Sequence, residues 1–267
     1  MRALSRDDLI DHLTAEILAG RLAAGTKLAS EREMSEKFGL SRPIVREVLR
    51  GLHERGFVMI QPARGTFVRT PTPADGARSL DSFYRRSNAT ARELTEARLM
   101  LERHTARLAT TTATDADVAA MEQCLIDFDG AKSILERARH DIAFHGLLAR
   151  ASHNTVIETM FASIVALTFE LMLRSLSDRE VARQGAPDHW KVLKAVKARD
   201  PDAAERAMTH HLEIAARLYG PDFDDSIDSV ARREVLRLLG PQVTVDGLLE
   251  DLMRRYSDGL QGPGGRG

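Results

Sequence analysis

Apolar positions recur at helical spacing almost throughout the chain. From Ser5 to Ala19 they fall at Leu9, Ile10, Leu13, Ile17 and Leu18, and Gly20 closes the run. Ser30 begins a second helix as an N-cap, with Glu33 three residues on to complete a capping box, and Gly39 ends it beyond Phe38. Ser41 caps a third helix that carries Pro43 in its first turn, buries Val45, Val48, Leu49 and Leu52, and runs to about Arg55. The period then changes. Phe57-Val58-Met59-Ile60 and Thr66-Phe67-Val68 are short strand-like runs around Gln61-Pro62-Ala63-Arg64-Gly65, which predicts a hairpin. Helix, helix, turn, helix, hairpin is the order of a winged helix-turn-helix, assigned to residues 1–70.

Pro71, Pro73 and Gly76 mark residues 71–76 as a linker. Beyond it the pattern predicts helices over 77–87, 90–112, 115–128, 131–152, 154–177, 186–199 and 201–219, with no strand. The short connection at Asp200-Pro201 makes the last two antiparallel neighbours. The fold expected is therefore mainly α, an N-terminal winged helix-turn-helix followed by an all-α antiparallel bundle over 77–220. A C-terminal extension, 221–267, adds two short helices near 226–239 and 244–257 and a disordered Gly-rich end.

Net charge is −1, which does not by itself favour nucleic acid, but the charge is unevenly placed. Residues 1–72 carry 12 Lys and Arg against 9 Asp and Glu, and the remainder carries 26 against 30. Within 41–69 there are 6 Arg and 2 Glu. Arg42 and Arg46 stand four apart near the start of the third helix, on the face opposite its apolar stripe, where a recognition helix presents donors to a DNA groove. Arg32 is placed to clamp the DNA backbone, and Arg64 and Gly65 sit at the tip of the hairpin. The competing assignment is a solvated face in which these arginines pair with Glu31, Glu47 and Glu54.

The single cysteine, Cys124, excludes an internal disulfide and fits a reducing, cytoplasmic setting. Asp7, Asp8 and Asp11 break any apolar N-terminal run, and Glu158, Glu170 and Arg174 interrupt the most apolar stretch, so it reads as a core helix and no membrane partner is expected. No H-E-x-x-H, nucleophile elbow or Gly-rich phosphate loop is present, and the chain is not expected to be an enzyme.

Among the nine histidines, His145 follows Asp141 at i, i+4, so that both side chains can converge on one ion. His189 near the start of one predicted helix and His211 in the later half of the next fall at similar heights in an antiparallel pair. On spacing alone an Asp-x-x-x-His pair is more often a hydrogen-bonded pair than a metal site.

Two sets of motifs resemble known families. Gly25-Thr26-Lys27-Leu28-Ala29-Ser30-Glu31-Arg32-Glu33, then Phe38-Gly39-Leu40-Ser41-Arg42-Pro43-Ile44-Val45-Arg46-Glu47-Val48-Leu49, then Gly65-Thr66-Phe67-Val68, resemble the N-terminal domain of the GntR family of bacterial transcription regulators. The segment departs from it at Ala29, where that family commonly has proline. The resemblance implies that Arg32, Ser41, Arg42 and Arg46 contact double-stranded operator DNA, with Gly65 at the wing. Glu96-Ala97-Arg98 with Leu101-Glu102, then Asp141 to His145, Asn154, Asp188-His189 and Ala207-Met208-Thr209-His210-His211-Leu212, are similar to the FCD-type effector domain of the FadR subgroup. That resemblance implies an all-helical domain holding a divalent metal through Asp141, His145, His189 and His211, with His140, His153 and His210 as bystanders. Zinc is the first expectation, nickel or manganese the others.

An open metal position suits a small organic-acid effector, with Arg98 and Asn154 as further contacts. Arg98 paired to Glu102 and Asn154 capping a helix are the plain alternatives. The expected protein is a homodimeric, ligand-responsive repressor on a palindromic operator, bacterial, cytoplasmic and nucleoid-associated when bound to DNA. The alternative is a regulator for which the ion itself is the signal.

Overall fold

The computed structural model describes residues 5–176 and 179–260, and helix dominates among them. The chain divides into two compact units, Met1–Asp75 and Gly76–Gly267.

The first unit contains α1 (Arg6–Leu18), α2 (Glu31–Phe38), α3 (Arg42–Glu54), β1 (Val58–Gln61) and β2 (Gly65–Val68). Capping boxes start α1 at Ser5 with Asp8 and α2 at Ser30 with Glu33, each satisfying orphan N–H groups of the first turn. The strands pair antiparallel, Val58 opposite Val68 and Gln61 opposite Gly65. The segment before α2 adds to this sheet. Leu28 N–H donates to Thr66 O and Val68 N–H to Thr26 O, both at 2.8 Å. The core is Leu9, Ile10 and Leu13 of α1, Met34 of α2, Val45, Val48, Leu49 and Leu52 of α3, and Val58 and Val68 of the hairpin. Burying each large aliphatic side chain contributes about 1.5–3 kcal/mol. The apolar face of α3 is thereby pinned inward, and Arg42 and Arg46 are left outside.

The division between units falls inside α4 (Pro73–Arg86), within the 71–76 segment expected to join them. Pro73 is compatible with a first helical position, where no N–H is needed. Asp75 accepts hydrogen bonds from the Thr72 N–H at 2.8 Å and the Thr72 hydroxyl at 2.7 Å, which secures the helix start.

The second unit continues with α5 (Ala91–Thr112), α6 (Asp115–Gly130), α7 (Ile134–Ala151), α8 (Thr155–Leu176), α9 (Arg179–Lys197), α10 (Pro201–Leu218), a 3-10 turn (Gly220–Asp224), α11 (Ile227–Leu239) and α12 (Val245–Leu260). Helix α9 starts earlier than 186, running through both Gly185 and Pro187. One core joins α5, α6, α7, α9 and α10 through residues such as Ala109, Leu125, Phe144, Val192 and Met208. A second core surrounds α8, whose thirteen residues Phe161–Leu173 are all buried. This helix is long and apolar enough to cross a membrane, but most of it is enclosed by the chain itself.

The C-terminal extension completes that enclosure. Ile227, Val230, Val235, Val245, Leu248, Leu249 and Leu252 of α11 and α12 join the α8 core, and Ile227 N–H ties the extension to Ala89 O at 3.0 Å. The Gly-rich segment from Gln261, expected to be disordered, lies outside the described residues.

Candidate functional site

On the first unit, α3 presents its polar face as its periodicity requires. Ser41 occupies the N-cap with no side-chain capping hydrogen bond, and Arg42 and Arg46 follow on exposed positions. Arg46 donates through Nε and Nη2 to the two carboxylate oxygens of Glu31 at 2.9 and 2.7 Å. That bidentate contact holds the Glu31 carboxyl below its usual range. Arg32 is exposed and pairs loosely with Glu36 at 3.4 Å. Of the paired-face alternative, the Arg46–Glu31 bridge is present; Glu47 pairs with Arg6 at 3.2 Å and Glu54 with Arg50 at 3.7 Å.

Arg64 is exposed in the wing turn, and Gly65 has φ +114°. A Cβ there would stand 2.9 Å from Lys27 Cε, so glycine leaves room for the backbone and the lysine together.

In the second unit, four helices bring six polar side chains into the bundle interior. Asp141 and His145 come from one face of α7, His189 from α9, His211 from α10, and Arg98 and Glu102 from one face of α5; none is more than 5% exposed. Asp200 caps α10 by accepting from Ala203 N–H at 2.9 Å, so α10 returns along α9 and sets His211 beside His189, ring centroids 4.2 Å apart. Ligand atoms of His145, His189 and His211 all lie within 4.8 Å of one another. Nε2 of His145 is 3.4 Å from Nε2 of His189, and these atoms are 3.5 and 3.7 Å from the two carboxylate oxygens of Asp141. Phe128 and Phe144 pack edge-on against His189, and Phe161 stacks on His145.

The donor set fits a metal on the chain's own geometry. Two imidazole nitrogens on a tetrahedral ion with Zn–N near 2.0–2.1 Å would lie about 3.3–3.4 Å apart, close to the spacing of the His145 and His189 nitrogens. Among the described residues, Asp141 Oδ1 and His211 Nδ1 are buried without a hydrogen-bond partner, which is costly unless something else satisfies such groups.

The three imidazoles differ in charge preference. Burial pushes the His189 imidazole down to about 4 and that of His211 well below its ordinary value, so both offer lone pairs at neutral pH. Burial opposes ionisation of Asp141, yet the facing imidazoles outweigh it and hold the carboxyl far below its usual range. Burial likewise pushes His145 down, but the Glu102 and Asp141 carboxylates together outweigh it and raise that imidazole.

The remaining candidates separate clearly. Arg98 joins the cluster, its Nε bonded to Glu102 at 2.5 Å and its Nη2 3.4 Å from His145 Nε2. Asn154 does not. It is exposed, and its Oδ1 accepts from Val156 N–H at 3.0 Å and Ile157 N–H at 3.2 Å, capping α8. His153 is an exposed partner of Asp117, and His210 an exposed partner of buried Asp188. Glu102 is the site residue that sequence reasoning saw only as a partner of Arg98. Its second contact, to His145 Nδ1, joins residues 43 positions apart.

Two family models match the chain. Residues 5–68 match the bacterial regulatory proteins of the gntR family, and residues 93–214 match the FCD domain. The Glc operon transcriptional activator of Escherichia coli (strain K12) is 31% identical over 215 residues, covering 75% of this chain and 83% of the relative. The chain belongs to the GntR family of bacterial transcription regulators.

Two further relatives of this GntR protein are the regulator LutR of Bacillus subtilis (strain 168) and the galactonate operon transcriptional repressor of Escherichia coli (strain K12). LutR is 28% identical over 218 residues, covering 78% of this chain and 98% of LutR. The galactonate repressor is 28% identical over 220 residues, covering 79% and 95%. Among solved structures, a GntR protein of Streptococcus agalactiae aligns with TM-score 0.60 and 25% identity, covering 80% of this chain and 99% of that one. These relatives are transcription regulators, and the winged helix-turn-helix is the DNA-binding part of this one.

Proposed function

We propose that this GntR-family regulator senses a small hydroxy-carboxylate through a divalent metal held by Asp141, His145, His189 and His211. The observation that carries the reading is the convergence of three buried imidazoles and one buried carboxylate, with polar atoms that no group among the described residues satisfies. An Asp and three His suit zinc first and nickel or manganese next. When bound, the metal supplies a Lewis-acidic positive centre with coordination positions left for a ligand.

The surrounding residues set the sign of that ligand. Arg98 and Glu102 cancel one another, and Asp141 offsets half of a divalent charge, so the loaded site is one positive charge in excess and draws an anion. The Nη edge of Arg98 lies alongside His145 and offers such an anion a charged hydrogen-bond donor. Phe128, Phe144 and Phe161 surround the histidines with apolar surface and strengthen those interactions. The galactonate operon repressor carries the name of a hydroxy-carboxylate of this class. Asn154, which caps α8, has no part in the reading.

In this proposal Arg42 and Arg46 read base edges, Arg32, Ser41 and Arg64 hold phosphates, and Gly65 lets the wing backbone approach the duplex. The protein acts as a homodimer on a palindromic operator, one DNA-binding unit per half-site. An effector changes operator affinity only through different affinities for the competent and incompetent arrangements of that dimer. The proposal takes this protein as a repressor, like the galactonate operon relative, while the Glc operon relative is an activator.

The test is thermal unfolding of the full chain, metal-stripped and zinc-loaded, against a panel of hydroxy acids. A hydroxy acid that raises the midpoint only in the zinc-loaded protein supports the proposal. Stabilisation by zinc with no response to any acid would replace it by a regulator of which the ion is the signal.

A further inference from the structure

Glu102 is fully engaged on both carboxylate oxygens. Oε1 accepts from Arg98 Nε at 2.5 Å, and Oε2 faces His145 Nδ1 in a short contact. Both oxygens are thus turned toward protein donors, although Glu102 is buried within the same cluster as the ligands. A carboxylate is an acceptor only, so the proton between it and the imidazole belongs on Nδ1. That leaves Nε2, the nitrogen facing Asp141 and His189, as the atom with a lone pair. Arg98 is positioned one helical turn before Glu102 on α5 and supplies the charge that lets this carboxylate remain ionised inside the bundle.

We infer that Glu102 is a positioning residue for the metal centre: it fixes His145 in the Nδ1–H tautomer and aims Nε2 at the ion, with Arg98 as its counter-ion. The inference rests on the metal reading above and adds a functional residue to it. It also gives Arg98 two tasks on different atoms, Nε toward Glu102 and the Nη edge toward the anion. Carboxylate partners of ligating histidines raise ligand basicity and hold ring orientation, and removing one typically lowers metal affinity about 10–100-fold.

The experiment compares wild type with Glu102→Gln, in the full chain, by competitive zinc titration and by histidine-selective nitrogen NMR of the metal-free and zinc-loaded forms. Gln keeps the shape and a neutral acceptor, so the variant is suited to fold. The expected result is a His145 ring protonated on Nδ1 and zinc-ligated through Nε2 in wild type, and a fall in zinc affinity of about 10–100-fold in the variant. Unchanged zinc affinity in Glu102→Gln, or His145 ligating through Nδ1, overturns the inference. If wild type takes up no zinc, the metal reading itself fails and the positioning role falls with it. The metal-free spectrum then shows separately whether Glu102 still orients His145.

Discussion

Replacing Glu170 by glutamine should stabilise the helical unit at alkaline pH and not at acid pH. Glu170 sits in the fully buried run of α8, facing Arg85 of α4, with Asp81 and Asp228 close to the same guanidinium. Among the described residues, its Oε2 and the Oδ1 of Asp81 are buried without hydrogen-bond partners. Burial pushes the Glu170 carboxyl up, Arg85 pulls it down, Asp228 and Asp81 push it up again, and the balance stands at about 7. The unfolded chain releases this proton near 4.5, whereas the native chain keeps it until about 7. Across that window the native state binds more protons than the unfolded state, so stability falls as pH rises, and the loss is complete above the native value. At about 1.4 kcal/mol per pH unit, the full window costs about 3 kcal/mol. Glutamine cannot ionise, and Arg85 keeps Asp81 and Asp228 as partners at 3.2 Å each. The stability difference, Glu170→Gln minus wild type, should therefore grow by about 3 kcal/mol between about pH 5 and about pH 8. Trp190, the single tryptophan, lies on α9, so its fluorescence during denaturant unfolding reports the helical unit alone. An equal difference at both pH values would refute the reasoning, because Glu170 would then be ionised in the native state throughout.

Two further outcomes follow from the placement of single side chains. Arg46→Ala should weaken binding to an operator duplex selected in vitro by about 1–3 kcal/mol, and a mobility-shift titration with unchanged affinity would leave Arg46 as no more than the partner of Glu31. Asn154→Ala should lower stability by about 1 kcal/mol through loss of the α8 cap while leaving zinc uptake and any hydroxy-acid response intact. A lost response at unchanged stability would return Asn154 to the effector site.

The DNA-binding unit was legible because its signals are local. Capping boxes, Gly39 after α2 and the two-residue alternation of the hairpin each act within a few positions, and the apolar stripe Val45, Val48, Leu49, Leu52 leaves the arginine face no alternative but solvent. The pairing of residues 25–28 with β2 was not legible, since backbone hydrogen bonds across some forty positions leave no side-chain pattern. Pro73 and Gly76 read as a linker, and the helix that begins at Pro73, secured by the Thr72–Asp75 contacts, was not anticipated before residue 77. In the helical unit, the Asp141–His145 spacing and the return of α10 along α9 were visible, but it was the resemblance to the FCD domain that named the four as one ligand set. The Glu102–His145 contact and the closure of α8 by α11 and α12 depend on tertiary packing. No period along one helix announces which distant helix will cover it.

The central claim is that Asp141, His145, His189 and His211 form one metal centre in a DNA-binding regulator. Elemental analysis of the purified full chain, before and after chelation and zinc reloading, tests it most directly. The account predicts about one divalent ion per chain, removed by chelation, restored by zinc, and lost when His189 or His211 is replaced by alanine. A chain that carries no metal and takes up none after chelation would contradict it.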